Sequence, residues 1–311
     1  MNHPDREIIV ICGPTAVGKT AYAIETALEF NGEIVSCDSM QLYKYMDIGS
    51  AKPTAEEQAR VKHYLVDQID PAQPFSAARY QALAKAAIEE IFAKGKVPVI
   101  AGGTGLYLNA LLYDMDFSAP PGDPALRDEL YALAEAEGPE ALHQQLRQLD
   151  PDAASRIHPN NIKKVVRAVE AAKLGSKLGD FSADLSPTSD YDAVLIGLTR
   201  DRTELYDRIN RRVDLLMEAG LLEEVRELLD MGLDEGDISM KGIGYKELIG
   251  YFHGRYDLKT AIDLVKKNTR HYAKRQLTWF KRYKDMQWFN ITQYDSDVCC
   301  QEEMFKWLKN R

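Results

Sequence analysis

Short apolar runs and amphipathic segments alternate over the first hundred residues of the chain. Runs typical of strands lie at 6–12, 33–38, 63–69 and 96–105, and segments with helical spacing lie at 19–30 and 75–95. Ser76 is a suitable N-cap for the second helix, and Gly95 ends it. Strands that alternate with helices predict a parallel sheet covered by helices on both faces.

The strand pattern is interrupted in the middle of the chain. Three segments with helical spacing follow one another at 123–137, 139–149 and 161–174, and a strand-like run reappears at 192–200 before further helices. We therefore expect an α/β core formed by 1–116 and 191–311, the last part of which is mostly helical and basic. An all-helical insertion at 117–190 is expected to interrupt this core.

Composition limits the class of protein. The chain has 311 residues, of which 45% are apolar, and this length suggests two domains of roughly 150 residues each. No apolar run approaches the ~20 residues that span a bilayer. The four cysteines, Cys12, Cys37, Cys299 and Cys300, have neither zinc-site spacing nor the pattern of a disulfide framework. We expect a cytoplasmic protein without a membrane partner or zinc.

Charge is unevenly distributed along the chain. The formal net charge is −9, which argues against a nucleic-acid partner. Residues 259–284, however, hold nine Lys or Arg and one acid, Asp263. A basic stripe of this kind can face a polyanion while the remaining surface stays acidic.

Residues 13–20 read GPTAVGKT and match the P-loop pattern in full, with a strand before them and a helix after them. Glycines let the backbone wrap an anion so that its N–H groups point inward, and the helix adds its positive dipole end. Lys19 supplies a mobile charge, and Thr20 offers a hydroxyl to Mg²⁺. We expect diphosphate binding along the whole loop, at Gly13, Pro14, Thr15, Ala16, Val17, Gly18, Lys19 and Thr20.

The loop does not reveal the reaction, because it cannot distinguish the phosphates of ATP from a bare diphosphate. Enzymes that hydrolyse or transfer phosphate usually have a second strand that ends in a metal-binding aspartate. The obvious second strand, VPVIAGG at 97–103, ends in glycines instead. Asp38 is the carboxylate at the end of the strand at 33–38, where open α/β sheets place their chemistry. From position alone, Asp38 is either a metal ligand or a base.

Six segments occur in a distinctive order along nearly the whole chain. They are GPTAVGKT, DSMQLYKYMDIGSAKP (38–53), AGGTGLY (101–107), RIHPNNIKKVVRAVE (156–170), KGIGYKE (241–247) and AKRQLTWFKR (273–282). Together they resemble the bacterial tRNA dimethylallyltransferase family, also called tRNA isopentenyltransferases.

The resemblance implies a P-loop NTPase-like core and a prenyl transfer. Members of this family move a dimethylallyl group from dimethylallyl diphosphate, with Mg²⁺, to N6 of the adenine immediately 3′ of the anticodon, position 37, in tRNAs that read codons beginning with U. The product is N6-isopentenyladenosine. The partners implied are therefore the anticodon stem-loop of tRNA, which the helical insertion clamps, and dimethylallyl diphosphate. We expect a monomer.

Roles for individual residues follow from the resemblance and from the chemistry. Asp38 matches the general base, since the exocyclic amine of adenine must lose a proton. Lys19 and Thr20 would help neutralise the leaving diphosphate. Ser39, Met40 and Gln41 would touch an adenine that has been extruded from its stack. A purely structural alternative for this segment is a connecting loop with an Asx turn at Asp38.

Further tRNA contacts are implied elsewhere. Thr104 matches a substrate-contacting position, and the alternative is a hydroxyl that caps the next helix. Arg127 matches a tRNA-contacting position, and the alternative is a solvated arginine. In the basic helix, Arg270, Lys274 and Lys281 fall near one side, where they are either RNA contacts or solvated charges. Gly242, Gly244 and Tyr245 are expected to shape a turn near the site. The segment at 162–167 is implied as a whole, with Lys163 and Arg167 on one helical face, and comprises Ile162, Lys163, Lys164, Val165, Val166 and Arg167.

Two other functions fit parts of the pattern. A P-loop kinase for a nucleoside or small metabolite would use Asp38 as base toward a hydroxyl, but the long basic helix exceeds what a small acceptor needs. A nucleotide-dependent RNA-binding module would need no carboxylate facing phosphate.

Overall fold

The computed structural model describes residues 6–115, 117, 123–177 and 186–311. Contacts divide the chain into two compact units, one formed by Met1–Tyr113 with Pro187–Arg311 and the other by Asp114–Ser186. Part of the helical insertion expected at 117–190 therefore lies outside the described residues, at 118–122 and 178–185.

The first unit is built on a six-stranded sheet. Its strands are β1 (Glu7–Cys12), β2 (Gly32–Cys37), β3 (His63–Tyr64), β4 (Val97–Gly102), β5 (Asp192–Thr199) and β6 (Gln287–Asn290). The strand order is β3-β2-β4-β1-β5-β6, and each of the five pairings is parallel. The predicted α/β class with a parallel sheet is confirmed.

Helices cover both faces of this sheet. Those before the insertion are α1 (Lys19–Glu29), α2 (Ala55–Arg60), α3 (Ala77–Ala93) and α4 (Gly105–Leu112). Those after it are α9 (Arg202–Glu218), α10 (Leu221–Asp230), α11 (Tyr245–Phe252), α12 (Leu258–Phe280) and α13 (Asp297–Lys309), with 3₁₀ turns at Ser239–Lys241 and Ile291–Gln293.

Alternation along the strands divides the apolar residues of the first unit between two cores. In β1, Ile8, Val10 and Cys12 belong to one core, whereas Ile9 and Ile11 belong to the other. Successive side chains of a strand point to opposite faces, so a strand buried on both sides reads as a continuous apolar run. This is why the strand at 6–12 is evident in the sequence.

One predicted strand is shorter than expected. The apolar run at 63–69 forms only the two-residue strand β3, because Leu65 and Asp67 have φ values of 62° and 55° in the left-handed region. A β-strand cannot continue through residues with such φ values. β6, in contrast, has no clear signal in the sequence and is formed by pairing with β5.

The second unit is a small helical bundle. It contains α5 (Pro124–Glu137), α6 (Pro139–Leu149), α7 (Pro151–Arg156) and α8 (Ile162–Lys173). The side chains of Asp123, Asp150 and Asn161 cap three of these helices. Leu130, Leu142, Leu146, Val165, Val166 and Val169 form most of its core.

The register of the sheet brings the carboxyl ends of three strands together. Cys12 of β1 and Cys37 of β2 both pair with Gly102 of β4. The loops that leave these strands are the P-loop, the Asp38 turn and the glycine-rich turn at 103–105. They therefore share one edge of the sheet, where open α/β folds bind their ligands.

Candidate active site

The P-loop has a conformation that its glycines make possible. Gly18 has a φ of 113°, and a Cβ at Gly13 would lie 2.5 Å from the Leu198 carbonyl oxygen. Ala16 also has a positive φ, 63°. Gly13 therefore lies against the backbone of β5, and the loop continues into α1. The N-terminus of α1 adds its dipole to the N–H groups of the loop.

Lys19 is the first residue of α1, and its ammonium group lies over the loop. Its Nζ donates to the Pro14 carbonyl oxygen at 2.9 Å. The pKa of Lys19 is lowered to about 8, mainly by burial; the charge of Asp38 opposes this effect, and the charge of Arg212 adds to it. An incoming anion would restore the charged form of Lys19.

Asp38 follows β2 directly and forms a turn. Its Oδ1 accepts the Met40 N–H at 2.8 Å and lies 3.4 Å from the Gln41 nitrogen. The Asx turn considered from the sequence is therefore present. It uses Oδ1, and Oδ2 has no hydrogen-bond partner among the described residues, so the turn and a chemical role are compatible.

The three residues after Asp38 differ in their surroundings. The Ser39 N–H donates to Thr104 Oγ1 at 3.0 Å, and Met40 packs against Gly242. The Gln41 side chain is held inside the protein by Ser36 and by the Ala51 carbonyl oxygen. Of the two cavities described below, Ser39 and Met40 line the larger, and Gln41 lines the one beside the P-loop.

Thr104 is the N-cap residue of α4, but its hydroxyl makes no cap hydrogen bond. It instead holds Ser39, while the Thr104 N–H donates to the Cys37 carbonyl oxygen at 3.1 Å. Thr104 therefore fastens the Asp38 turn to the glycine-rich turn. The helix-capping alternative for its hydroxyl is wrong.

Two cavities meet at this edge of the sheet. One, of about 360 Å³, is lined by the P-loop, Thr20, Asp38 and Arg212. The other, of about 430 Å³, also contains Asp38 and Arg212 and is lined by apolar and aromatic side chains that include Met40, Tyr43, Phe75, Tyr107, Leu221 and Tyr272. Asp38 and Arg212 thus line both the P-loop cavity and a more apolar one, which is also lined by the cations Lys241, Lys246 and Arg275.

Arginines around the P-loop were not identified from the sequence. Arg200 and Arg208 donate to the carbonyl oxygens of Val17 and Ala16, so they support the loop from outside. Arg212, one turn further along α9, is half-buried between the two cavities. Burial lowers its pKa, and the Asp38 charge opposes this effect. The repeated arginines of α9 gave no indication of which one faces the loop.

A buried glutamate, also unpredicted, holds the loop that follows Asp38. Glu224 of α10 accepts the N–H groups of Asp47, Ile48 and Gly49 at 2.7 to 2.9 Å. It also accepts the Tyr245 hydroxyl at 2.8 Å. The segment at 242–245 lies beside these residues, as the prediction of a turn near the site requires.

The basic residues of α12 differ in their roles. Lys274 is exposed, whereas Arg270 donates to the Asn210 side chain within the protein. Gln276, on the opposite face from Lys274, is buried and contacts the P-loop. Only part of the predicted basic stripe is therefore free to meet a ligand.

The helical unit presents some of its predicted RNA contacts and buries others. Lys163, Lys164 and Arg167 are exposed. Val165 and Val166 have no exposed surface and belong to the core of this unit, and Ile162 packs against it. We therefore leave these three apolar residues out of the proposed RNA surface.

Arg127 takes part in an ion pair of the helical unit. Its Nε lies 2.7 Å from Oε1 of the buried Glu170, and its own side chain is 29% exposed. The alternative of a freely solvated arginine is therefore wrong. Its role toward RNA stays a prediction.

The described residues contain no group of three or more His, Cys, Asp or Glu side chains that could hold a metal ion. None of their helices combines the length and apolar character needed to cross a bilayer.

Known proteins resemble this chain over nearly its full length. The model of the family described as IPP transferase matches residues 41–283. A tRNA dimethylallyltransferase of Alkaliphilus oremlandii (strain OhILAs) is 53% identical over 292 residues, which are 94% of this chain and 93% of the relative. One of Clostridioides difficile (strain 630) is 48% identical over 97% of each chain.

Solved structures agree with this result. A full-length tRNA isopentenylpyrophosphate transferase of Bacillus halodurans is 44% identical, with a TM-score of 0.74 over 98% of this chain and 96% of its own. A eukaryotic dimethylallyltransferase captured acting on tRNA is 28% identical, with a TM-score of 0.81 over 98% of this chain and 80% of its own. The resemblance drawn from the six segments is confirmed: the protein belongs to the IPP transferase family.

Proposed function

We propose that this protein transfers a dimethylallyl group from dimethylallyl diphosphate to N6 of the adenine immediately 3′ of the anticodon in tRNAs that read codons beginning with U. The observation that carries this proposal is the meeting of the two cavities at Asp38 and Arg212. This division of space suits a donor with a diphosphate head and an apolar tail that reacts with an aromatic base. The names of the relatives support the same activity.

The polar cavity is suited to the diphosphate. The Lys19 ammonium and the Arg212 guanidinium line it together with the P-loop, whose N–H groups other than that of Thr15 are available to an anion. Negative charge grows on the diphosphate oxygens as the allylic C–O bond breaks. Preorganised donors at that point stabilise the transition state more than the ground state.

The apolar cavity is suited to the dimethylallyl tail and to the adenine. Tyr43, Phe75 and Tyr107 offer flat apolar surfaces, and a base inside a stacked anticodon loop cannot reach a buried carbon without extrusion. Excluding water also protects the electron-poor allylic carbon from hydrolysis.

Asp38 lies where the two reactants would meet. The adenine N6 forms a bond to C1 of the dimethylallyl group, and the bond from C1 to the diphosphate oxygen breaks. The amine then loses one proton, which the free Oδ2 of Asp38 accepts. The diphosphate leaves with the electron pair of the broken bond, so charge and atoms balance.

Mg²⁺ is proposed as the cofactor. Thr20 supplies a hydroxyl to the lining of the polar cavity, and an oxygen ligand of this kind suits Mg²⁺. When bound with the diphosphate, the ion would neutralise part of the charge on the leaving group.

The RNA surface is proposed to consist of exposed cations on both units. Lys274 of α12 serves in the first unit, and Lys163, Lys164 and Arg167 of α8 serve in the helical unit, which we propose clamps the anticodon stem-loop. Phosphate contacts of this type supply affinity and position without reading sequence. We also propose that the protein acts as a monomer in the cytoplasm, which sedimentation of the pure protein and fractionation of cells would test.

The decisive experiment supplies labelled dimethylallyl diphosphate, Mg²⁺ and unmodified tRNA, with and without excess ATP. We expect label in the RNA at the adenine beside the anticodon, and none in tRNA whose adenine there is replaced. A parallel reaction with γ-labelled ATP tests the kinase alternative, which the comparisons do not favour. Unlabelled RNA together with phosphate transfer from ATP would refute the proposed function.

A further inference from the structure

The side chain of Gln276 spans two loops of the active site. It comes from the inner face of α12 and is 5% exposed. Its Oε1 accepts the Thr15 N–H of the P-loop at 2.9 Å. Its Nε2 donates to the Gly103 carbonyl oxygen of the glycine-rich turn at 3.0 Å. Both polar atoms of a buried amide are thus satisfied by loops that leave different strands.

The glycine-rich turn is shaped to receive α12. A Cβ at Gly103 would lie 2.2 Å from Nε2 of Gln276, and a Cβ at Gly105 would lie 2.4 Å from the Trp279 ring. Neither glycine has a positive φ. The two glycines of this turn therefore allow a helix to approach closely.

The amide belongs to a continuous series of hydrogen bonds. Beyond Gly103, the next residue in the chain is Thr104, which accepts the Ser39 N–H at 3.0 Å. Ser39 follows the proposed base, Asp38. The series thus runs from Thr15 in the diphosphate cradle, through Gln276 and the glycine-rich turn, to the Asp38 turn.

We propose that Gln276 is a positioning residue for the transfer reaction, which holds the diphosphate cradle at a set distance from the Asp38 turn. This inference rests on the proposed function for its chemistry. The Thr15 N–H is bound to Gln276 and does not serve the anion itself, so Gln276 acts through the shape of the loop. It does so from a helix whose opposite face carries Lys274, a proposed phosphate contact of tRNA.

The test compares Gln276→Met with Gln81→Met. Methionine keeps the length of the side chain and loses both hydrogen bonds. Gln81 of α3 donates to the Ala110 carbonyl oxygen at 2.8 Å and lies outside both cavities. Its replacement by Met therefore removes a glutamine hydrogen bond away from the site. Inorganic diphosphate is the probe, measured by calorimetry, together with thermal unfolding and steady-state kinetics.

We expect Gln276→Met to weaken inorganic diphosphate binding and to raise KM for dimethylallyl diphosphate by about tenfold, because both hydrogen bonds that hold the P-loop to the glycine-rich turn are lost. Affinity for tRNA should stay within about twofold, as for distant sites. Gln81→Met should leave the affinity for inorganic diphosphate and the KM for dimethylallyl diphosphate unchanged. Gln276→Glu, a second variant, should weaken diphosphate binding in the same sense because its carboxylate cannot donate to Gly103.

A double-mutant cycle tests the coupling between Gln276 and Gly103. Gly103→Ala should displace the amide and reproduce the loss, and the double variant Gly103→Ala with Gln276→Met should lose little more than either change alone. Unchanged diphosphate affinity in Gln276→Met, tighter binding through a released Thr15 N–H, or fully additive losses would each overturn the proposal. Because binding of inorganic diphosphate requires no transfer, failure of the proposed function would appear separately, as a wild-type protein that binds diphosphate but leaves tRNA unmodified.

Discussion

The two oxygens of the Asp38 carboxylate have different surroundings. Oδ1 is engaged by the Met40 N–H in the turn, whereas Oδ2 has no hydrogen-bond partner among the described residues. A substitution that shortens the side chain would remove both functions at once. Asparagine keeps Oδ1 as an acceptor and replaces the proton-accepting oxygen, so it separates the turn from the chemistry.

Asp38→Asn should therefore keep the fold and the affinity for tRNA while turnover falls by at least ~10²-fold, the lower end for loss of a general base. Single-turnover transfer from labelled dimethylallyl diphosphate measures this. Asp70→Asn is the control, because Asp70 accepts the Ala72 N–H at 2.9 Å in a similar turn outside the cavities. Turnover near the wild-type value would exclude the base role.

The charge of Lys19 depends on pH near neutrality. Its pKa in the protein is about 8, below the usual 10.5, so the free enzyme loses this charge as pH rises through 8. The diphosphate attracts the charged form. Binding should therefore take up a proton near pH 8, and affinity should fall as pH rises.

Between pH 7 and 9 we expect diphosphate affinity to drop by up to ~10-fold, since about a tenth of Lys19 stays charged one unit above its pKa. Calorimetry in buffers of different ionisation enthalpy measures both the affinity and the proton uptake. Lys19→Gln, titrated in parallel, reports the ionisation of the ligand alone. A wild-type profile that parallels this variant would contradict the assignment.

The two faces of helix α12 have different surroundings. Its inner face carries Ala273, Gln276 and Phe280, all buried, at the spacing of one side of a helix. Its outer face carries the exposed Lys274 and Thr278. The positive charge seen in the sequence is thus concentrated on an element whose other face builds the active site.

Lys274→Ala should weaken tRNA binding and make the slope of log affinity against log salt shallower by roughly 1, as expected when one phosphate contact is lost. Diphosphate affinity should not change. Filter binding over a range of KCl concentrations gives the slope. Lys306→Ala on α13, where the exposed lysine pairs with Glu303, is the control. An unaltered slope for Lys274→Ala would remove this residue from the RNA surface.

The residues that flank the helical unit in the chain pair with each other within the sheet-containing unit. Tyr113 and Pro187 form an antiparallel bridge, and the Thr188 N–H donates to the Leu112 carbonyl oxygen at 3.0 Å. The core of each unit is made of its own residues. Both features are typical of a domain that can be inserted into, or removed from, a loop of a stable host.

Replacing residues 114–186 by a short glycine linker should therefore leave a folded, diphosphate-binding core. We expect inorganic diphosphate affinity to stay within about twofold. Affinity for tRNA should fall at least ~10-fold, because the exposed cations of α8 are lost. Thermal unfolding, calorimetry and filter binding measure these outcomes. A core that does not unfold cooperatively, or that binds tRNA as before, would contradict this division of roles.

Local sequence patterns were sufficient to predict the P-loop and the position of Asp38. The P-loop is recognisable because a phosphate cradle needs particular backbone freedom and a strand and helix on either side of it. The placement of Asp38 follows from the rule that parallel strands present their carboxyl ends at one edge. Val165 and Val166, which the resemblance implied as RNA contacts, lie instead in the core of the helical unit.

Contacts between residues that are far apart in sequence could be identified only from the structure. Arg212, Glu224 and Gln276 reach the site from helices far along the chain, and helical periodicity tells which face is apolar but not which loop that face meets. Amino-acid order alone therefore predicted the cradle, the carboxylate of Asp38 at the end of its strand and the parallel sheet, because each depends on residues close in sequence. The arginine between the cavities, the glutamate behind the Asp38 loop and the amide that spans two turns depend on packing over long sequence separations, and only the folded chain brings those residues together.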